Sequence, residues 1–423
     1  MTWLQRYRIR NYMRDSVWVV PMIWAFSAIA IHRLLWLLDL RTRWQFLGYT
    51  PESARGVVGT ISSSMLNFMV FLLTMLLITV QIAAGQLTPR VIPTFFRDRV
   101  VRSCLGVFVF TYVFSVSVQG RIGDSVPQLL VLLIIILSVA SIGAFLYLVG
   151  YTGTSLRPVS IYTRLAAAGA RTIGQVYPVP EGTAEAASER DLFQGAGPSG
   201  TIRNQGAPGY LLAFDEAGLT EAARRTNCVI RISPQVGDFI APGDPLFLLS
   251  GGEEGMEERD LMQCVAIGPA RTVEQDPELA FRNIVDIAIR ALSPAVNDPT
   301  TAVLGIDQIH RLLHMVGTRD LGDGMVRDRD GQVRLVFPTP DWEDFVRLGV
   351  SEIRLYGAAS IQVMRRLRAM LENLIDLLPS HRHAALREQL TLLESAVSRG
   401  FADREDRDAA AGGDYKGIGG SRL

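Results

Sequence analysis

Lysine is almost missing from this chain. Among 423 residues the only one is Lys416, in a glycine-rich tail, and arginine supplies the rest of the positive charge. A phosphate-cradling GxxxxGK[ST] loop, a Schiff-base lysine and a lipoyl or biotinyl attachment lysine in a folded domain are thereby excluded. No GxSxG elbow and no HExxH pair occurs either, so two common hydrolase signatures are absent. Cysteine is scarce: Cys104, Cys228 and Cys264 lie far apart and form no CxxC pair, which signals neither a disulfide framework nor a structural zinc site. Net charge is lacking as well, with 42 basic against 42 acidic residues, and no global field is left to hold a nucleic acid. These absences point away from an enzyme, and no cofactor or metal is implied.

What is present is apolar surface, concentrated at one end. The chain is 48% hydrophobic with a mean hydropathy of +0.22. Between residues 16 and 151 long runs carry almost no charge, and beyond Arg157 charge returns at the frequency of a globular domain. A helix crosses about 30 Å of hydrocarbon with roughly 20 apolar residues, because lipid offers no partner for a free backbone. Four stretches meet that test, at about 16–38, 57–84, 103–118 and 126–150. His32 and Arg33 interrupt the first and must snorkel or face protein. The third is short. The first is too long and too rich in tryptophan (Trp18, Trp24, Trp36), with no small-residue cleavage site after it, to read as a signal peptide.

Arginines set the expected orientation. Arg6, Arg8, Arg10 and Arg14 precede the first stretch, Arg90, Arg97, Arg99 and Arg102 fall between the second and third, and Arg157, Arg164 and Arg171 follow the fourth. The other loops carry Arg41, Arg43 and Arg55, and Arg121. Both termini are therefore expected in the cytoplasm, with the chain in a bacterial inner membrane. Residues 91–102, where Phe95 and Phe96 sit among arginines, suit a short helix in the headgroup layer.

The second stretch holds a polar series: Thr60, Asn67, Thr74 and Gln81 recur every seven residues, with Ser63 and Ser64 beside them and Thr88 continuing the series. Seven residues are nearly two helical turns, so these groups share one stripe. Two readings stand: a helix–helix seam closed by interhelical hydrogen bonds, or a pore or substrate path lined by the stripe in a homo-oligomer.

The remainder reads as an α+β region. Residues 178–208 are rich in Gly, Ala, Ser, Pro and Glu and make a connector and linker over 157–208. From Gly209 short runs of β-formers alternate with Gly-Asp and Pro-Gly-Asp turns, which predicts a small β-barrel-like module over 209–270. Its VGDFIAPGDPL turn resembles those of biotinyl and lipoyl barrels and of the small C-terminal domains of potassium-uptake regulators, but no carrier lysine is there. A helical domain is expected over 271–400. Asp276 before Pro277 and Asp298 before Pro299 each place a capping carboxylate ahead of a proline at the first helical position. Arg282, Asp286 and Arg290 then share one helix face.

The phrase SPAVNDPTTA is either a rigid corner between helices or part of a polar pocket. In the second reading Arg271, Gln275, Arg282, Asp286, Arg290, Asn297 and Asp298 bind a small charged ligand or an ion, or lock one subunit against another. Asp307, His310 and His314, at i, i+3 and i+7, form at most half a metal site and suit a solvated or hydrogen-bonded face. Residues 342–378 and 381–400 predict an antiparallel helical hairpin, and 401–423 a disordered tail.

RTVEQD (271–276), VDIAIRALSPAVNDPTTA (285–302), QLTPR (86–90) and the second apolar stretch together resemble the bacterial membrane-protein family catalogued as domain of unknown function 2254. The resemblance spans nearly the whole chain. It implies a cytoplasmic-membrane protein with an N-terminal helical bundle, and it brings no catalytic residues. The chain thus reads as a multi-domain membrane protein: a transmembrane bundle of four helices over 1–156, then a cytoplasmic α+β region. Its expected partners are the lipid bilayer and further copies of itself. The expected function is a homo-oligomeric channel-like or transport protein with a cytoplasmic gating domain. The alternative is a membrane-anchored sensor or scaffold that binds through residues 271–298.

Overall fold

The computed structural model describes residues 1–42, 48–86, 98–123, 125–155, 157–180, 199–252 and 256–418. The chain divides into two compact units, Ile9–Arg157 and Met1–Arg8 with Pro158–Leu423. Residues 91–97 of the interfacial helix expected at 91–102, and residues 181–198 of the linker expected within 157–208, lie outside the described residues.

Helix α1 (Trp3–Asp15) leads into α2 (Val19–Thr42), α3 (Pro51–Gln86), α4 (Arg99–Gln119) and α5 (Gln128–Ser155). Within them Val19–Asp39, Pro51–Ile82, Arg99–Gln119 and Gln128–Ser155 are each long and apolar enough to cross a membrane. The third, expected to be the shortest, is the hub of its unit: 56% of its apolar window is buried, against 17–28% in the others. Along α4, Phe110 and Phe114 pack in one core with Ala28, Val58 and Leu130, and Phe108 packs in another with Met65, Leu72 and Leu148. Gly106 lies under the Trp24 ring, where a Cβ would come within 2.6 Å of Nε1. Some polar groups inside the bundle find partners there, while the Ser115 hydroxyl and His32 Nε2 are buried without a hydrogen bond among the described residues. The Thr111 and Ser141 hydroxyls are 3.1 Å apart, and Tyr151 donates to Asp98, which caps α4 by accepting from Val100 N–H. His32 is buried edge-on to Phe114, facing protein as the sequence demands.

The second unit opens with α6 (Pro158–Val176), an amphipathic helix where the sequence suggested a connector. Five strands, β1 (Gly200–Arg203), β2 (Gly209–Phe214), β3 (Cys228–Ile232), β4 (Phe239–Ile240) and β5 (Pro245–Gly251), surround α7 (Glu216–Arg225). Next come α8 (Glu258–Met262), β6 (Val265–Gly268), α9 (Pro277–Ala291), α10 (Pro299–Gly317), β7 (Met325–Arg327) and β8 (Val333–Val336). The last helices are α11 (Trp342–Tyr356), α12 (Ile361–Leu377), α13 (His383–Gly400) and α14 (Arg404–Ala411).

The β-barrel-like module is not formed. The strands make two open sheets, one ordered β1-β5-β3-β8-β7 and one β4-β2-β6. The cause is a strand from far along the chain: β8 pairs in parallel with β3 and occupies the edge that local closure would need. Residues 271–400 are therefore not purely helical, since they supply two strands to that sheet. One core still joins both sheets, with Leu211, Ile230, Ile240, Phe247 and Leu335 all buried in it. Trp3, Leu4 and Tyr7 of α1 pack over Ala213 and Ala266 of the smaller sheet.

The long helix expected over 342–378 is two helices. A Cβ on Gly357 would stand 2.8 Å from the Ile353 carbonyl oxygen, and the Ser360 side chain caps the restart by accepting from Val363 N–H. The tail expected to be disordered instead carries α14. Its Ala410 and Asp414 are buried, and Asp414 N–H donates to the Arg365 carbonyl. Alanines and glycines suit this close contact: Gly413 lies where a Cβ would be 3.7 Å from Ala369.

Helix α6 is pressed closely onto α9 and α10, because Gly169 leaves room where a Cβ would come within 2.7 Å of Ala280 Cβ. Gly169→Val should destabilise this unit by about 1–3 kcal/mol through overpacking. A thermal melt of the purified protein in detergent reads the change, and an unaltered midpoint would contradict this packing.

Candidate functional site

Two groups of residues were singled out by the sequence, and each lies within one unit. In α3 the stripe faces outward. Thr60, Asn67, Thr74 and Gln81 are exposed and Ser64 is half-buried, while Val58, Ser62, Met65, Leu72 and Leu76 turn inward. Its hydroxyls are satisfied within the helix: Thr60 donates to the Gly56 carbonyl, Ser64 to Thr60 and Thr74 to Val70, all at 2.8–2.9 Å. The carboxamides of Asn67 and Gln81 make no hydrogen bond among the described residues. Among the described residues the stripe therefore forms no hydrogen-bonded seam with another helix of the chain, and Thr88 lies outside them. Two amides stand on a face otherwise bearing Leu66, Val70, Phe71, Leu77 and Ile78, all exposed.

In the second unit Arg271, Gln275, Arg282 and Asp298 each make a separate set of contacts. Arg271 donates to the Asp276 carboxylate through Nε at 2.9 Å and Nη2 at 2.7 Å. The other Asp276 oxygen caps α9 by accepting from Leu279 N–H, also at 2.9 Å. Gly237, at φ +99°, arches over this pair, and a Cβ there would lie 2.7 Å from Asp276 Oδ2. Only glycine fits both the angle and the space. Gln275 bonds the backbone of Phe214 twice, accepting from its N–H and donating to its carbonyl, so it extends β2 like a strand residue. Arg282 ties Asp286 on its own helix to Glu352 on α11, and these contacts hold the Glu352 carboxyl below its usual range.

The SPAVNDPTTA segment is a corner. Asn297 adopts the left-handed φ of +47°. Asp298 caps α10 by accepting from Thr301 N–H at 3.0 Å and from its hydroxyl at 2.6 Å. Asp307 and His310 bind across to α12: Arg366 donates to Asp307 at 2.7 Å and approaches His310 Nδ1, and His310 Nε2 meets Asn373 at 2.9 Å. Burial first, and then the Arg366 charge, lower the His310 pKa. Among the described residues no three His, Cys, Asp or Glu side chains are placed to hold a metal ion.

The residue that sequence reasoning missed is Glu278. An acid in the first turn of a helix normally signals nothing beyond a favourable dipole contact. Here it is half-buried beside Asp276, and Gln235 Nε2 donates to its carboxyl at 2.8 Å. Burial, and then the Asp276 charge, push it up to about 7, with Asp344 and Asp238 adding to the rise and Arg271 opposing it. Tyr177, also close to both acids, is pushed up to about 12, chiefly by burial. The group can take up and release a proton near neutrality. It presents no nucleophile.

Four apolar helices of spanning length, followed by a mixed helical and sheet region, define a membrane protein with a large extramembrane portion. The chain belongs to the family described as predicted membrane protein (DUF2254), whose profile matches residues 14–373. It is similar to the uncharacterized protein Rv1290c of Mycobacterium tuberculosis and the uncharacterized protein Mb1321c of Mycobacterium bovis. Each is 28% identical over 431 residues, covering 96% of this chain and 81% of the relative. No solved structure matches the chain.

Two outcomes are expected. A carboxyl raised from 4.5 to about 7 keeps its proton in the folded state after the unfolded chain has lost it. Stability should therefore fall as pH rises from 4.5 to 7 and level off above, a change on the order of 2 kcal/mol. Glu278→Gln should flatten that part of the curve, and melts at several pH values test it. At the corner, Asp298→Ala should cost about 1–2 kcal/mol through the lost cap, whereas Asn297→Gly should stay within about 0.5 kcal/mol. Equal losses at the two positions would refute the assignment.

Proposed function

We propose that the protein is a homo-oligomeric, channel-like or transport membrane protein. In this reading the α3 stripes of neighbouring copies meet around a polar path, and the second unit assembles and gates it from the cytoplasm. The observation that carries the reading is the exposure of the unpartnered Asn67 and Gln81 amides on an apolar helix. A buried amide without a hydrogen bond costs roughly 2–7 kcal/mol, so in hydrocarbon these groups call for a second chain or for water. The hydroxyls of Thr60, Ser64 and Thr74 already bond their own helix, so they can line a path without needing partners of their own. Uncharged amides and hydroxyls suit an ion or a small polar solute.

An inner-membrane location with both termini cytoplasmic accompanies this reading, on the strength of the arginine distribution. The lack of a catalytic signature supports a non-enzymatic role. The alternative, a sensor or scaffold binding a charged ligand through residues 271–298, draws less support. Arg271, Arg282 and Asp298 are already engaged in separate internal bonds.

Planar-bilayer recording and mass measurement in detergent test the proposal. Wild-type protein should behave as more than one copy and conduct, and Asn67→Leu should lower conductance about tenfold or split the oligomer. A strictly monomeric mass together with silent bilayers under voltage and tension would sink it.

A further inference from the structure

Arg354 is a buried cation with no anion beside it among the described residues. It lies in the last turn of α11, is only 7% exposed, and makes no hydrogen bond or ion pair with any described residue. Its Nε is sealed from solvent and unpartnered. Elsewhere in the same helical region buried or half-buried arginines are engaged: Arg282 with Glu352, Arg366 with Asp307, and Arg368 with Glu394. Arg354 has instead a second cation beside it. The ends of α11 and α13 come together where Gly400 meets the Ala358 carbonyl, at 2.6 Å from where a Cβ would be. Arg399, exposed on the last turn of α13, bears on Arg354 there, and among the described residues its guanidinium hydrogen-bonds only Ser395.

Burial and the Arg399 charge both act against the charged form of Arg354, and no described carboxylate relieves it. A guanidinium stays charged at any physiological pH and brings five N–H donors. Removing it from water without acceptors is among the costliest arrangements a fold can hold. The C-terminal ends of α11 and α13 offer a favourable dipole field to a cation. That field supplies no acceptor in hydrogen-bonding position to the sealed Nε–H, which remains unmet, while the two Nη groups are not sealed from solvent.

We propose that Arg354 and Arg399 form a binding site for a small phosphate-type oxyanion at the joined ends of α11 and α13. Such an anion accepts from a guanidinium through two oxygens at once and has further oxygens for the second arginine. Arg354 supplies a largely buried donor group whose Nη atoms are open to solvent and to a ligand, and Arg399 closes over the ligand from solvent.

The test uses the full-length protein in detergent, melted in inorganic phosphate and in chloride at matched ionic strength. Phosphate should raise the wild-type unfolding temperature by several degrees. Arg354→Met should be at least as stable as wild type in chloride, since it removes an uncompensated charge, and should lose the phosphate shift. Arg399→Gln should need several-fold more phosphate for the same shift. Identical wild-type melts in the two salts overturn the proposal, as does a full phosphate shift in Arg354→Met. Should Arg354→Met fail to fold, Arg399→Gln decides: an unchanged phosphate requirement overturns the proposal and a raised one supports it.

Discussion

The second unit depends on one carboxylate. Asp276 is 2% exposed, and its oxygens meet the Leu279 N–H of α9 and the Arg271 guanidinium together. Neither contact alone would justify burying the charge, since a lone buried carboxylate is strongly unfavourable. With both, the start of α9 is fixed against the turn at Gly237, and Gln275 next to it is fixed against β2. Sheet and helices are joined through three consecutive elements of one short motif. The residues around it are then under constraint. Glu278, half-buried in the first turn beside that charge, therefore keeps its proton to a higher pH than an ordinary carboxyl.

The bundle unit follows a different rule. Lipid gives apolar side chains no reason to leave the surface, so Ile136, Leu146, Phe26 and Leu73 are all exposed and hydropathy says little about which helix sits inside. Packing shape and internal polar contacts decide it. Helix α4 occupies the centre because Gly106 admits Trp24 and because Thr111 meets Ser141. These small and polar residues also break up its apolar run, so the same features make it central and make it look like the weakest span.

The four spans were legible in the sequence because an uninterrupted apolar run of about 20 residues is a property of the chain itself. The helix starts at Asp276 and Asp298 were equally legible, since a capping carboxylate before proline is a local instruction. Closure of the β-module was not legible: it turned on Val333–Val336, far outside the stretch that looked like a module. The break between α11 and α12 contains no proline, only Gly357 and the cap at Ser360, and the strong apolar periodicity on both sides hid it. At the candidate site, periodicity placed the α3 stripe on one face but could not say which way that face turned. Spacing likewise put Arg282 and Asp286 together without revealing Glu352 as their common partner.

The parallel seating of β8 beside β3 also bears on how the molecule is made. Strand β3 ends at Ile232, and its partner is complete only at Val336. A ribosome adding roughly 5–20 residues per second needs on the order of 5–20 s to cover that interval. Throughout it one flank of β3 has unsatisfied amides and carbonyls, the kind of open edge that recruits strands from other chains. Residues 233–332 must be synthesised before that edge is covered. Nascent copies on neighbouring ribosomes are therefore exposed to mispairing at this strand until β8 has been made.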